Sequence, residues 1–413
     1  MKDTKQQWFK EAKYGLFIHY GLFSILGGDW EGKHVKSLAE WIMNEMDIPV
    51  EEYRKLATQM NPVNFDAEAI VKYAISWGMK YIVFTTKHHE GYAMFDSDCS
   101  DYNIKKSCGR DLLKELQLAC EKYGMRLGIY YSQAQDWDDP DGYMLMRDNS
   151  KKNYRDYLDR KCLPQIRELM TKYGEISLVW FDTPMGTTIE ESKEMIDLVK
   201  KLQPNCIVSG RVGNCLGDYM TTGDNSIPAV PFIGDWEVPA TVNSTWGYDT
   251  QDDKWKDPKE IIQCLIKINS RGGNYLLNVG PDGSGRIPEK SIDILNAVGN
   301  YVNDNAEAIY ATKPVVGYPY ELEWGMLTCK EHKLYVHVFK NMNVFQILNV
   351  ANKVTSAYLV SNGETLPYDV IKSCEGDSSV VVYLPEHLAE KDYYCVALEL
   401  EEENPIFEEI RDK

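Results

Sequence analysis

The 413-residue sequence lacks several patterns that would direct its interpretation. No stretch approaches about 18 consecutive apolar residues, so neither a membrane-spanning helix nor a membrane partner is expected. Lysine and arginine do not cluster and the formal net charge is −18, which argues against a nucleic acid partner. The 10 cysteines include no C-x-x-C pair, so neither a zinc ribbon nor a thioredoxin-like site is predicted.

The N-terminal region offers no targeting signal. Residues 1–5 run into polar sequence without an apolar core, so we expect a cytoplasmic protein with reduced thiols unless a leader has been removed. What is present is an ordinary globular composition, with 44% hydrophobic and 26% charged residues. The length suffices for two domains.

The first part of the chain has the pattern of an α/β protein. Up to about residue 310, short apolar runs alternate with longer amphipathic ones, which is typical of β–α units and a parallel sheet. We therefore predict a (β/α)8-like barrel over residues 1–312. Six of its strands are legible, at 15–19, 81–86, 127–131, 178–181, 206–209 and 275–279. Helices are predicted at 67–77, 110–123, 163–173 and 192–202.

After Tyr310 the pattern changes to short alternating runs separated by Asn, Gly and Pro. This pattern predicts a C-terminal antiparallel β-sandwich over residues 313–402. Its clearest strands are 333–339, 344–350, 379–384 and 393–400. The last residues, 403–413, are acidic and are predicted to form a solvated tail.

Reactive side chains stand where the predicted barrel strands end, which is where barrel enzymes build their active sites. The first strand ends at His19, the second is followed by His88 and His89, and the fifth runs into Arg211. The two adjacent histidines could bind zinc or sugar hydroxyls. Neighbours on an extended segment point to opposite sides and no third ligand stands at metal spacing, so we predict no metal and no cofactor.

Two carboxylates are candidates for acid and base chemistry. Asp182 ends a strongly apolar strand and is followed by Thr183-Pro184, which forces a turn and leaves the carboxylate at the barrel mouth. The alternative role of Asp182 is to cap a following helix. Glu237 could be an ordinary loop carboxylate, but glycoside hydrolysis requires a second carboxylate, and this makes Glu237 a candidate.

Five segments resemble, in order, the hallmarks of the α-L-fucosidases of glycoside hydrolase family 29. They are GLFIHYG at 15–21, KHHEGY at 87–92, GIYYS at 128–132, WFD at 180–182 and NYLLNVGP at 274–281. The resemblance runs from about Trp8 to Ala311. One segment departs from it, because Val238-Pro239-Ala240 stands where many relatives have a polar residue and then Cys.

The resemblance implies a role for each candidate residue. Asp182 is the expected nucleophile, and Glu237, in a segment that is similar to the family's acid/base region, is the expected acid/base. The residues expected to bind the sugar are His19, Glu40, Trp41, His88, His89, Tyr131, Trp180, Arg211 and Trp246. Of these, Glu40 and Trp41 are similar to a Glu-Trp pair at the pocket rim, and Trp180 or Trp246 is expected to cover the methyl group that distinguishes fucose.

The function implied is that of a retaining exo-α-L-fucosidase, which releases terminal L-fucose from glycans through a covalent fucosyl-enzyme. Its partner is then a fucosylated oligosaccharide or glycoconjugate, and we also expect self-association into a homo-oligomer. One alternative is a glycosidase for α-L-galactosides, whose extra hydroxyl an apolar pocket rejects only about 10²-fold. Another alternative is a glycan-binding barrel with weak catalysis, against which the presence of Asp182 argues.

Overall fold

The computed structural model of the protein describes residues 6–230, 232–372, 374, 378–389 and 391–408. Eight parallel strands form its first sheet. They are β1 Tyr14–Ile18, β2 Tyr81–Lys87, β3 Arg126–Ser132, β4 Leu178–Asp182, β5 Ile207–Val208, β6 Met220–Thr221, β7 Trp236–Thr241 and β8 Asn274–Val279. Their order is β5-β4-β3-β2-β1-β8-β7-β6, and a parallel bridge between Ser209 and Tyr219 joins the two edges. The predicted barrel is confirmed.

Two barrel strands, β6 and β7, escaped the sequence analysis. Strand β6 has only two residues, too few to show an alternating pattern. Strand β7 contains Pro239, a residue that argues against a central strand because it lacks a backbone donor. Glu237, expected in a loop, is therefore the second residue of a barrel strand.

In the ranges that the structure describes, six helices of ten or more residues pack around the barrel. They are α1 Ala67–Ser76, α2 Leu112–Tyr123, α3 Leu163–Lys172, α4 Ile189–Leu202, α5 Pro258–Ser270 and α6 Glu289–Asp304. Side-chain caps fix the starts of several of them, with Asp66 before α1 and Asp111 before α2. A capping box formed by Thr188 and Glu191 starts α4 three residues earlier than predicted.

Shorter segments complete the barrel domain and the sandwich. The helical ones are Gln7–Ala12, Phe23–Leu26, Ile42–Glu45, Val50–Arg54, Ile104–Cys108, Tyr154–Tyr157, Leu158–Cys162 and Glu386–Ala389, with 3-10 turns at Ala39–Trp41, Lys55–Gln59, Gly210–Val212 and Ala306–Ala308. A two-stranded hairpin pairs Asp29–Trp30 with Lys33–His34. No helix in the described ranges is long and apolar enough to cross a membrane.

The C-terminal region consists of two antiparallel sheets. Their strands are β9 Lys313–Pro314, β10 Gly325–Lys330, β11 Lys333–Val338, β12 Val344–Ile347, β13 Val354–Leu359, β14 Tyr368–Lys372, β15 Ser378–Tyr383 and β16 Tyr394–Leu400. One sheet has the order β9-β10-β11-β16-β13 and the other β12-β15-β14. Aliphatic side chains from both sheets, such as Val336, Val380 and Leu398, form a separate core between them. The predicted sandwich is confirmed.

The prediction of a solvated tail from residue 403 is wrong for the residues up to 408. Phe407 forms an antiparallel bridge with Val350, and its ring packs against the sandwich core. Asn352 accepts a hydrogen bond from the backbone of Ile406 at 2.6 Å. An apolar ring among acidic neighbours is enough to draw this segment onto the sandwich. Residues 409–413 lie outside the described residues.

Candidate active site

A pocket of about 150 Å³ opens where the barrel strands end, at the face where barrel enzymes carry their active sites. It is lined by Phe17, His19, Leu38, Glu40, Trp41, His88, His89, Tyr130, Trp180, Asp182, Thr183, Arg211, Asp224 and Trp246. The structure thus brings together all but two of the residues that the sequence proposed for the site. The two exceptions are Tyr131 and Glu237.

Asp182 lies at the last position of β4 and is held by several donors. Its Oδ2 accepts a hydrogen bond from the Tyr130 hydroxyl at 2.8 Å, and its Oδ1 is 3.1 Å from Arg211 Nη1. Burial opposes ionisation of this carboxyl, but the positive charge of Arg211, the proximity of His89 and these hydrogen bonds outweigh it and lower its pKa. Asp182 is therefore an anion poised at the pocket wall.

His19 presents one ring nitrogen to the pocket as a hydrogen-bond acceptor. Its Nδ1 is 2.7 Å from Asn278 Oδ1, and the Asn278 amide donates to the Trp246 carbonyl at 2.7 Å. Because Asn278 Oδ1 can only accept, His19 Nδ1 carries the hydrogen and Nε2 has a free lone pair. Burial lowers the pKa of His19 to about 3, so the ring stays neutral.

His89 has the same tautomer for a different reason. Its Nδ1 is 2.7 Å from Ser132 Oγ, and that hydroxyl donates its own hydrogen to the Gln135 carbonyl at 2.9 Å. His89 Nδ1 must therefore be the donor, which leaves Nε2 as an acceptor 3.7 Å from Asp182 Oδ2. Burial lowers the pKa of His89 to about 4. His88 is also buried, its pKa is lowered by burial, and its Nδ1 has no partner within the described part of the chain.

Aromatic rings form the apolar part of the pocket. The ring of Trp246 lies 5.1 Å from that of His19, and Phe17 lies 5.2 Å from Trp180. The Arg211 guanidinium stacks 4.6 Å above the Trp180 ring. Flat apolar rings beside hydroxyl-binding nitrogens match the two kinds of surface that a deoxy sugar presents.

Glu40 is a buried carboxylate on the pocket wall. Its Oε2 accepts hydrogen bonds from Gly247 N at 2.9 Å and from Thr245 Oγ at 3.0 Å, whereas its Oε1 has no partner among the residues that the structure describes. Burial raises the pKa of Glu40 to about 7. An unpaired oxygen in this position is suited to a hydroxyl group of a ligand.

The placement of Tyr131 on the pocket is wrong, and its neighbour Tyr130 takes that position. Successive side chains on a strand point to opposite faces. Tyr130 pairs with Trp180 and shares its inward face, whereas Tyr131 pairs with Phe181 and points outward, where its hydroxyl donates to Gln165 at 2.8 Å. Trp180 and Asp182 are two residues apart on one strand, so the sequence indicates that their side chains point to the same face. It does not show which tyrosine of β3 lies beside Trp180, because the register between strands is not visible in the sequence.

Glu237 does not reach the pocket. It is the second residue of β7, opposite the first residue of β8, and so lies toward the amino-terminal end of the barrel. Its carboxylate is fully buried and accepts hydrogen bonds from the Tyr81 hydroxyl and from Trp180 Nε1, the latter at 2.9 Å. Burial raises the pKa of Glu237 to about 7, as an acid catalyst would require, but Trp180 separates it from the pocket.

Asp224 is the second carboxylate at the pocket mouth, and the sequence analysis missed it. Arg211 Nη2 bonds to Asp224 Oδ1, while Nη1 of the same guanidinium bonds to Asp182. The Asp224 side chain is 46% exposed, in contrast to 12% for Asp182. Asp224 stands three residues beyond the end of strand β6. Because barrel enzymes carry active-site residues just after their strands, Asp224 would have been a candidate if this two-residue strand had been recognised in the sequence.

The fold and the pocket define a barrel enzyme with a pair of carboxylates and a small polar and aromatic cavity. Among the described residues, no group of three or more His, Cys, Asp or Glu side chains is arranged to hold a metal ion.

Comparisons with known proteins identify the family. A family model described as alpha-L-fucosidase matches residues 1–307. The tissue alpha-L-fucosidase of Rattus norvegicus is 33% identical over 329 residues, which cover 75% of this chain and 70% of that protein. The chain therefore belongs to the α-L-fucosidase family and is a glycoside hydrolase.

Solved structures show the same relationship. The α-L-fucosidase from Vibrio sp. strain EJY3 has a TM-score of 0.92 and 29% identity, and the match covers 98% of this chain and 74% of that one. An α-L-fucosidase from Lactobacillus casei in complex with α-L-fucose product has a TM-score of 0.69 and 39% identity, covering 74% of this chain and 100% of that one.

Proposed function

We propose that this protein is a retaining exo-α-L-fucosidase in which Asp182 is the nucleophile and Asp224 is the general acid/base. The observation that carries the proposal is the pair of carboxylates bonded to the two terminal nitrogens of one arginine, Arg211, at the pocket mouth. Two carboxylates that share one guanidinium lie near each other, as a double displacement requires; a separation of about 5–5.5 Å is typical of that mechanism. A wider pair would instead leave room for a water molecule and favour inversion.

In the first step, Asp182 attacks the anomeric carbon of the sugar. A bond forms between Asp182 and the anomeric carbon while the bond to the glycosidic oxygen breaks, and Asp224 gives its proton to that oxygen. In the second step, the ionised Asp224 takes a proton from water, which attacks the same carbon and frees Asp182. Two inversions leave the anomeric configuration unchanged.

Asp224 must reach the leaving oxygen, yet in this structure it is bonded to Arg211. We propose that sugar hydroxyls take over the Arg211 guanidinium when substrate binds, which frees the Asp224 side chain to act on that oxygen. The greater exposure of Asp224 supports this role, because a leaving group departs toward solvent. Asp182, buried and held ionised by its neighbours, fits the nucleophile.

Recognition of the sugar follows from the neutral histidines. His19 and His89 offer lone pairs at Nε2, and Glu40 offers its unpaired oxygen, so all three can accept hydrogen bonds from ring hydroxyls. The rings of Phe17 and Trp246 provide an apolar surface for the methyl group. The Lactobacillus casei neighbour that holds α-L-fucose supports the choice of sugar, and a pocket of about 150 Å³ suits a single terminal sugar residue.

Trapping with azide tests the nucleophile. Asp182→Ala should lose nearly all turnover of 4-nitrophenyl α-L-fucoside, because no covalent intermediate can form. Added azide should enter the vacated space and yield β-fucosyl azide. Asp253→Ala, an exposed carboxylate in the loop after β7, is the matched control and should keep the wild-type rate. A rate near wild type for Asp182→Ala would refute the assignment.

The same assay distinguishes the other candidate activities. Wild-type protein should hydrolyse the aryl fucoside faster than the aryl α-L-galactoside, since the additional hydroxyl would lie against the aromatic wall. Faster turnover of the galactoside would establish the other specificity. Binding of fucose without any turnover would point to a glycan-binding barrel.

We also propose that the protein self-associates. Three apolar side chains in the segment before β7 are exposed, with Val230 at 70%, Phe232 at 38% and Ile233 at 104% of their full surface. Sedimentation velocity should detect an oligomer that Ile233→Asp weakens. A monomer at all concentrations for the wild-type protein would contradict the proposal.

A further inference from the structure

Two segments of the pocket rim are joined by contacts outside the reacting groups. The first rim segment, residues 27–41, carries Glu40 and Trp41, and the second, residues 245–251, carries Trp246. Several hydrogen bonds link the two. Thr250 N donates to the Gly27 carbonyl at 3.0 Å, Thr250 Oγ donates to Asp29 Oδ2 at 2.7 Å, and Gly247 N donates to Glu40 Oε2 at 2.9 Å.

His34 adds an ionic link between the same two segments. Its Nδ1 is 2.9 Å from Asp29 Oδ1 in the first rim segment, and its Nε2 is 3.1 Å from Asp249 Oδ1 in the second. The Asp249 carboxylate is only 8% exposed. The ring also packs on Gly28, where a Cβ atom would come 2.5 Å from His34 Cε1. Asp29 and Asp249 are thus the charged groups that face the ring.

The geometry determines the protonation state of this histidine. An ionised carboxylate only accepts hydrogen bonds, so a ring that contacts one carboxylate through each nitrogen must carry a hydrogen on both. His34 is then an imidazolium. Burial lowers the pKa of His34, but hydrogen bonding to Asp29 and the charge of Asp249 outweigh it, and the net shift is upward. The pocket histidines differ, since His19 and His89 are held neutral.

We propose that His34 is a positioning residue whose imidazolium joins the two rim segments and thereby fixes Trp246 and Glu40 for sugar binding. The inference rests on the proposed function, because it concerns the proposed fucose pocket. His34 does not line that pocket, and Asp182 and Arg211 belong to other elements, strand β4 and the turn Gly210–Val212. Its influence should therefore appear in KM and leave kcat nearly unchanged.

The pH dependence has a definite sign. A group whose pKa is raised in the folded protein keeps its contacts while it is protonated, and loses them as pH rises through that raised pKa. The link is therefore complete below the ordinary histidine pKa of about 6.5 and is lost as pH rises through the raised pKa of His34, which lies above that value. In the wild-type protein, KM for 4-nitrophenyl α-L-fucoside should rise about fivefold on the alkaline side, the upper range for partly exposed ion pairs.

Variants test this at both ends of the link. At every pH, His34→Gln should show a KM close to the raised alkaline value of the wild-type protein. Its KM should therefore not rise further on the alkaline side. Asp249→Asn removes one negative charge, so the step should move to lower pH. The matched control is His387→Gln in the sandwich, where the ring is 3.3 Å from Glu364 Oε2, and it should keep the wild-type profile. Equal KM–pH profiles for wild type and His34→Gln would overturn the proposal.

A second measurement does not depend on turnover. Nitrogen-15 NMR of the imidazole rings, with the His34 signals identified by their absence in His34→Gln, should show both nitrogens protonated near pH 7. A neutral His34 ring at that pH would overturn the proposal even if the enzyme is active. If the protein fails to hydrolyse fucosides, the proposed function fails while this measurement still decides the state of His34. A charged ring with an unchanged KM would refute the positioning role.

Discussion

Replacing Asp224 and Glu237 in turn should show which of the two is the general acid. A variant without its general acid should keep most of its activity only on substrates whose leaving group departs without a proton. Asp224→Ala removes a carboxylate at the pocket mouth. A general acid contributes about 10²–10⁴ in rate, which is roughly 3–5 kcal/mol of the activation free energy. We expect a loss of that size on fucosylated oligosaccharides, whose alkoxide leaving group needs a proton. The loss on 4-nitrophenyl α-L-fucoside should be much smaller, because its phenolate departs unprotonated.

Glu237→Gln should behave differently. Both oxygens of Glu237 accept hydrogen bonds, from Tyr81 and from Trp180 Nε1, so the new amide group would face a donor with another donor. Such a mismatch costs about 1–3 kcal/mol of folding free energy. Because Trp180 also lines the pocket, Glu237→Gln should lower kcat/KM by the same factor for oligosaccharides and for the aryl fucoside.

The assay compares kcat/KM on the two substrates for both variants and adds azide. Asp224→Ala should yield α-fucosyl azide, by attack on the trapped intermediate, and Glu237→Gln should yield none. Denaturant unfolding measures the stability loss of Glu237→Gln separately. Equal losses on both substrates for Asp224→Ala, with azide product from Glu237→Gln instead, would refute the assignment of Asp224 as the acid and restore the one drawn from the sequence.

Further predictions concern the residues that hold Asp182, the pH dependence of the reaction, its metal requirement and the role of the sandwich. Tyr130→Phe should lower kcat about tenfold or more by removing a charge-assisted hydrogen bond to Asp182, while Tyr131→Phe should retain the wild-type kcat. The acid limb of kcat/KM should lie near or below pH 4, because the pKa of Asp182 is lowered and that of His89 is about 4; a limb centred well above that value would contradict it. Incubation with EDTA should leave activity intact, and loss that zinc restores would favour a metal. His337→Ala should destabilise the contact between sandwich and barrel, where the ring Nδ1 is 3.3 Å from the Tyr301 hydroxyl of α6, without changing kcat of the folded protein; abolished turnover in folded protein would refute a supporting role.

The amino-acid sequence by itself determined the features that depend on local pattern. The apolar runs that end at His19 and Asp182 predicted where two barrel strands end. Side chains at the ends of barrel strands were therefore expected to meet at one face of the barrel. Alternating runs predicted the sandwich strands. Amphipathic runs placed helices such as α2 within two residues of their observed bounds.

Only the tertiary structure decided which side chains share the pocket. Tyr130 and Tyr131 are equivalent in sequence, and it is the register of β3 against β4 that turns one inward. Glu237 has a suitable neighbourhood and a raised pKa, but its depth along the barrel depends on where β7 begins relative to β8. Asp224 follows a strand of two residues, which is too short to leave a periodic signal. Register, depth and the pairing of two carboxylates through Arg211 arise from contacts between distant parts of the chain, and no local window of sequence contains them.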